Sequence, residues 1–201
     1  AKMNGGYPGG YIKTATDCGL NKNLQLLTNS VLTKTDTAML IYNALFTNPM
    51  ERDGRGYKKS DKTQIEKIWN VSEAVGIVTG YEKTVLVSGK ILPENSVEIN
   101  GVVYNAGTTN ISKYIGCNVR VFYDDNETIV AFAEKANTNT IYTFSADDIE
   151  ADGNKVSYYV NNRKKNLKVS ESAAVIYNNR YFSSYTKLDE VLNIPEGEIT
   201  F

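Results

Sequence analysis

The sequence predicts an α+β protein: a helix–loop–helix module over residues 1–48, then a mostly antiparallel β region of small barrels or a sandwich over 71–201. Three observations carry this expectation. Apolar residues recur at helical spacing as far as Leu45. From Val71 the period shortens to two. Beyond it, Gly, Asn, Asp and Pro turn signals return about every ten residues with no long helical pattern between them, an arrangement that belongs to antiparallel sheet.

The elements follow in order. Pro8 suits the first turn of a helix, where its missing N–H loses nothing. Tyr11, Ala15 and Cys18 then share one face, and Gly19 supplies a residue able to end the helix in a left-handed conformation. A polar loop, Asn21–Ser30, is punctuated by Leu24, Leu26 and Leu27. Thr33 and Asp36 form a Thr-x-x-Asp capping box that opens a second helix. Ala38, Ile41, Tyr42 and Leu45 give that helix one apolar face, and Asn48-Pro49 stops it. The expected product is a pair of helices with a buried seam.

Residues 49–70 read as a linker with a short helix. Arg52, Arg55, Lys58 and Lys59 are interleaved with Glu51, Asp53 and Asp61, as in a solvated loop. Thr63–Trp69 has room for two helical turns, with Ile65, Ile68 and Trp69 inward.

Short β-branched runs follow at Ala74–Gly80, Thr84–Ile91 and Val97–Tyr104. Asn100-Gly101 is a two-residue hairpin signal, since both positions tolerate positive φ. Tyr114–Tyr123 and Thr128–Lys135 flank a turn at Asp124-Asp125-Asn126. Thr140–Phe144 and Lys155–Val160 come next, with Asp152-Gly153-Asn154 as the turn. The expected series ends with Asn166–Val169, Ala174–Tyr177 and Arg180–Phe182 around Asn178-Asn179, then a brief helix at Lys187–Leu192 before Pro195. A division of the β region is expected near 136–139.

Composition narrows the function classes. Apolar content of 41% and charged content of 22% describe a globular chain. A net charge of −1 argues against nucleic acid or an anionic membrane as partner, and no apolar run is long enough to span a bilayer. With no histidine, the commonest general base and metal ligand is missing. No Gly-x-Ser-x-Gly elbow, phosphate loop or dinucleotide fingerprint occurs. The expectation is therefore a non-enzymatic protein with no catalytic residues, no metal and no cofactor. Cys18 and Cys117 read as small buried hydrophobes, not as a disulfide. Tyrosine is abundant, at 14 against 6 phenylalanines, which suits half-exposed sheet faces and sugar contact.

The order Tyr-Pro-x-Gly-Tyr, Gly-Leu, a loop, Leu-Thr-Lys-Thr-Asp and Tyr-Asn-Ala-Leu over residues 7–47 resembles the S-layer homology repeat of bacterial cell-surface proteins. The remainder resembles the β-rich segment that follows the last such repeat in surface proteins of anaerobic Gram-positive bacteria. Its phrases are Thr79-Gly80, Val97–Gly101, Tyr114–Val119, Ala146–Ile149 and Val175–Asn178. The resemblance implies an extracellular protein at the cell wall, with cell-wall polysaccharide or neighbouring copies of the surface protein as partners. In that family three repeats form grooves for pyruvylated polysaccharide, with the arginine of a Thr-Arg-Ala-Glu-like box on the ligand's charge. Here the box is Thr33-Lys34-Thr35-Asp36, so Lys34 and Asp36 are the implied polysaccharide-binding residues. Lysine keeps the charge without the planar fork. The aromatic-x-Asp motif upstream of the repeat is absent before Tyr7. The local alternative is a solvated Lys34 and an Asp36 that caps its helix. Because the chain starts inside the repeat and ends on a strand-like Ile199-Thr200-Phe201, a fragment of a longer protein is expected.

Other candidates are weighed on their residues. Exposed tyrosines such as Tyr158, Tyr159, Tyr181 and Tyr185 would make a carbohydrate-binding module. A cell-wall hydrolase accessory is the third class, and it would need facing carboxylates. Asp124-Asp125 and Asp147-Asp148 are the adjacent pairs, in turn-like contexts. Asp148, Glu150, Asp152 and Gly153 match the opening of a calcium loop, but Tyr159 stands where its bidentate Glu belongs. Arg163-Lys164-Lys165 with Lys168 reads as a charged hairpin tip protecting a sheet edge, or a contact for an anionic polymer.

Overall fold

The computed structural model describes residues 5–24, 31–183 and 196–201. Leu26, Leu27, Tyr185 and the expected helix at Lys187–Leu192 lie outside the described residues. The chain forms two compact units, meeting in sequence at Ser72 and Glu73.

In the first unit, α1 spans Gly9–Asp17 and α2 spans Lys34–Leu45. Pro8 is the N-cap of α1, one position ahead of the expected first turn. Both halves of the Thr33–Asp36 box are made. The expected apolar seam is not. Tyr11, Cys18, Ala38, Ile41 and Tyr42 are exposed. The face that α2 turns inward carries Leu40, Asn43 and Ala44. Asn43 is buried, and its Nδ2 donates to the Leu20 and Lys22 carbonyls, both at 2.9 Å. Main-chain groups just past α1 thus find a side-chain partner, and a polar clamp stands where an apolar stripe was expected.

The stretch expected as linker is a hairpin, β1 (Met50–Asp53) against β2 (Gly56–Lys59). Gly54, at φ 57°, lies in its turn. Cross-strand backbone pairing, invisible in apolar periodicity, makes this element. Its base is tied by Ser60, whose N–H donates to Pro49 O at 2.8 Å, and by Asn48, which donates to Ser60 O. Helix α3 covers Gln64–Trp69 behind a second capping box, Thr63–Glu66. Ile65 is half-buried there, but Ile68 and Trp69 are exposed, against the inward placement expected. Lys67 pairs with Glu51 of β1.

The second unit is built on antiparallel strands, β3 (Ser72–Tyr81), β4 (Thr84–Val85), β5 (Ser96–Ile99), β6 (Val102–Asn105), β7 (Asn118–Tyr123) and β8 (Ile129–Glu134) among them. They lie in the order β6-β5-β3-β7-β8, with β4 beside β3. Asn100 and Gly101 make the β5–β6 turn at φ 49° and 84°, as their residue types require. The strand expected over Thr84–Ile91 stops at Val85. Gly89 N–H returns to Val85 O, Val87 takes a φ of 72°, and Ile91 is exposed. At the far edges Asn105 bridges Thr128, yet no barrel closes among the described residues. Val78, Val97, Ile99, Ile111, Val119, Val121 and Ile129 form a core at 3% exposure or less. Fully burying each such side chain contributes about 1.5–3 kcal/mol.

Further along come β9 (Thr143–Ser145), β10 (Ile149–Asp152), β11 (Lys155–Val160), β12 (Arg163–Lys168), β13 (Val175–Tyr177), β14 (Arg180–Phe182) and β15 (Glu198–Thr200). They form a β10-β11-β12 sheet and two pairs, β13-β14 and β15-β9. A smaller core gathers Val156, Val169 and Val175, with Ile149, Leu167, Phe182 and Ile199 packed on it. Two expectations change here. Ile149–Asp152 is strand, recruited by pairing with β11. Arg163-Lys164-Lys165 is also strand and not a hairpin tip, because Asn161 and Asn162 take the turn at φ 51° and 59°.

Candidate functional site

Lys34 and Asp36 both fall in the first turn of α2. Asp36 N–H donates to Thr33 Oγ1 at 3.1 Å, while its carboxylate accepts from Thr33 N–H at 2.9 Å and Thr33 Oγ1–H at 2.7 Å. The Thr33 hydroxyl, then the Thr33 amide, hold the Asp36 carboxyl below its ordinary range. Asp36 is thereby occupied with capping. Lys34 is exposed two residues away, and side chains at that separation do not face each other on a helix. The same geometry recurs at Thr63 and Glu66, where the Thr63 hydroxyl and then its amide lower the Glu66 carboxyl. A box that appears twice in one unit is first of all helix-terminus chemistry.

The tyrosines divide. Tyr158 is 8% exposed, with its ring 4.6 Å from that of Phe144 and 6.0 Å from that of Tyr142, so it belongs to the interior and not to a sugar platform. Tyr159, its neighbour on β11, points to the other face and is 55% exposed. Tyr181 is half-buried.

Tyr159 opens onto a groove of about 340 Å³, shared with Phe144, Thr143, Asp147, Asp148 and Glu150. Glu150 accepts from Lys164 Nζ at 2.6 Å, and that ammonium lies 5.9 Å from the Tyr159 ring centre. The Glu150 hydrogen bond is the main cause holding the Lys164 ammonium above its usual range. An aromatic face beside carboxylate acceptors suits neutral hydroxyl-rich ligands and repels anionic ones. No sequence motif marks this groove, since β9, the 3₁₀ turn Ala146–Asp148 and β11 meet only in the fold.

The remaining candidates resolve locally. Asp124 Oδ1 accepts the Asn126 and Thr128 amides, both at 2.9 Å, so it shapes its turn. Glu150 and Asp152 of the calcium-loop match lie in β10, and among the described residues no acidic, Cys or His group gathers in a metal-holding arrangement. Both cysteines are free thiols. Cys18 is exposed, against expectation, because α1 turns that face outward. Cys117 packs on the larger core, and burial pushes its thiol up.

No protein-family model matches the chain, and no solved structure does either. Among curated proteins it is similar to one named Cell surface protein, from Thermoanaerobacter kivui, at 28% identity over 195 residues. The alignment covers 96% of this chain and 24% of that relative. The chain therefore spans about a quarter of the relative's length.

Proposed function

We propose that this chain is a non-enzymatic structural segment of a bacterial cell-surface protein, serving cell-wall anchoring or surface assembly. The observation that carries the reading is the likeness, along nearly its whole length, to a protein named for the cell surface. The S-layer homology resemblance over residues 7–47 supports it. So does the β unit, whose two hydrophobic cores suit a folded structural segment. No helix among the described residues is long and apolar enough to cross a membrane. In this reading Lys34 offers its charge to an anionic wall polysaccharide, while Asp36 holds the helix end that presents it.

The test is a pull-down of the chain with purified cell-wall sacculi, before and after stripping the secondary polysaccharide, beside a Lys34→Ala variant. Capture that needs the polysaccharide and weakens in the variant supports anchoring. No capture by either preparation rejects it.

The Tyr159 groove favours a second reading, a carbohydrate-binding module for neutral glycans. Glycan-array binding lost in Tyr159→Ala supports that; a blank array for the parent chain removes it.

A further inference from the structure

We propose that copies of this chain associate head to tail through the two edges of the β10-β11-β12 sheet, the acidic β10 edge of one copy receiving the basic β12 edge of the next. The inference rests on the surface-assembly reading and names the surface it would use. Among the described residues no further strand pairs with β10 or β12. An unpaired edge presents a row of backbone donors and acceptors ready for another strand.

Charge decides which strand that can be. Arg163, Lys165 and Lys168 are exposed on or beside the β12 edge, and Asp147, Asp148 and Asp152 on or beside the β10 edge. None of the six takes part in an ion pair among the described residues, whereas Lys164 and Glu150 satisfy each other across the sheet. Pairing β12 with another β12 sets cation against cation, and β10 with β10 sets carboxylate against carboxylate. The unlike edges attract. That choice excludes a two-fold dimer through this sheet and leaves a heterologous contact, which repeats from copy to copy into a ring or an open chain.

Register agrees. Asp152 lies opposite Lys155, and Lys155 opposite Lys168, so the three share one level across the sheet. β10 and β12 both run antiparallel to β11 and are thus parallel to each other. A copy displaced sideways within the sheet plane brings its Lys168 to the level of its neighbour's Asp152.

Sedimentation velocity on the intact chain tests this, at low and high salt. The expected result is concentration-dependent growth beyond a dimer at low salt, reversed at high salt because exposed charges are screened within about 10 Å at 0.1 M. Arg163→Glu/Lys165→Glu/Lys168→Glu alone, and Asp147→Lys/Asp148→Lys/Asp152→Lys alone, should each weaken association ~10-fold or more. An equimolar mixture of the two should restore it, since each supplies the edge the other lacks. Circular dichroism matching the parent establishes that both variants are folded. A parent that stays monomeric, growth that stops at a dimer, variants that associate like the parent, or a mixture that fails to recover would overturn the proposal. Sacculus capture measured on the same samples separates the two readings: capture without self-association leaves anchoring standing and removes only the edge contact.

Discussion

The two units of this chain are stabilised by different means. Every buried hydrophobic side chain among the described residues lies at Val78 or beyond. In the first unit the buried residues among those described are Gly10, Asn43 and Ser60, while Tyr7, Val31, Ile41, Tyr57 and Trp69 are all more than half exposed. The helical unit is held by local chemistry: two capping boxes, the Asn43 clamp, and the Asn48 and Ser60 bonds at the hairpin base. The β unit is held by non-directional apolar burial. Directional contacts are individually small, about 0.5–1.5 kcal/mol net each. Apolar burial accumulates with area. The helical unit should therefore open first under almost any stress.

The largest expected effect lies in the β core. Ile129→Ala removes a side chain 1% exposed and should cost about 2–5 kcal/mol in urea unfolding. Ile41→Ala, at a site 60% exposed, should stay within about 0.5 kcal/mol. Equal costs would erase the contrast. Gly107→Ala comes next. The added Cβ would stand 2.5 Å from the Ile129 carbonyl oxygen at a φ of +60°, and the expected loss is about 1–3 kcal/mol.

In the helical unit, Asn43→Ala leaves the Leu20 and Lys22 carbonyls without their partner. The expected cost is about 1–3 kcal/mol, read as faster amide exchange in α2. Thr33→Ala and Thr63→Ala should each cost about 1 kcal/mol.

These contrasts also show what sequence can carry. Turn residues were legible, because Asn100-Gly101 and Asn178-Asn179 take positive φ and few residue types do so readily. The capping box at Thr33 was legible for the same local reason. What failed was the choice of face. Ile41-Tyr42 and Leu40-Asn43 are adjacent on the helix, and only the Leu20 and Lys22 carbonyls make a buried Asn preferable to an apolar stripe. Tyr158 and Tyr159 are likewise neighbours, and period two does not say which of them faces Phe144. The β1–β2 hairpin and β10 escaped notice because charged strands are made by their partners. The groove was not legible at all, since its walls are brought together by folding.

The smallest effect is a pH asymmetry. Three carboxyls of the helical unit, Asp36, Glu66 and Glu51, are lowered in the folded state, chiefly by bonds to Thr33, Thr63 and Lys67 respectively, against one in the β unit, Glu82, lowered chiefly by the Asn95 amide. Their contribution is present above the ordinary carboxylate range and is lost as pH falls through the depressed values. Tyr104 and Tyr81 are raised, mainly by burial. Their contribution is present below the ordinary tyrosine range and is lost as pH rises through the elevated values. Acid should thus loosen the helical unit first, and alkali the β unit. Circular dichroism followed in both directions, with tyrosine ionisation read by absorbance, checks this; coincident losses would contradict it.

Native-state hydrogen exchange on the intact chain tests the central contrast most directly. The amides of α2 should exchange through local opening, insensitive to low denaturant, while those of Val78, Val119 and Val121 exchange only through global unfolding of the β unit. Protection in α2 equal to that of the β core would contradict the account, and would mean that the helical unit is part of one cooperative structure.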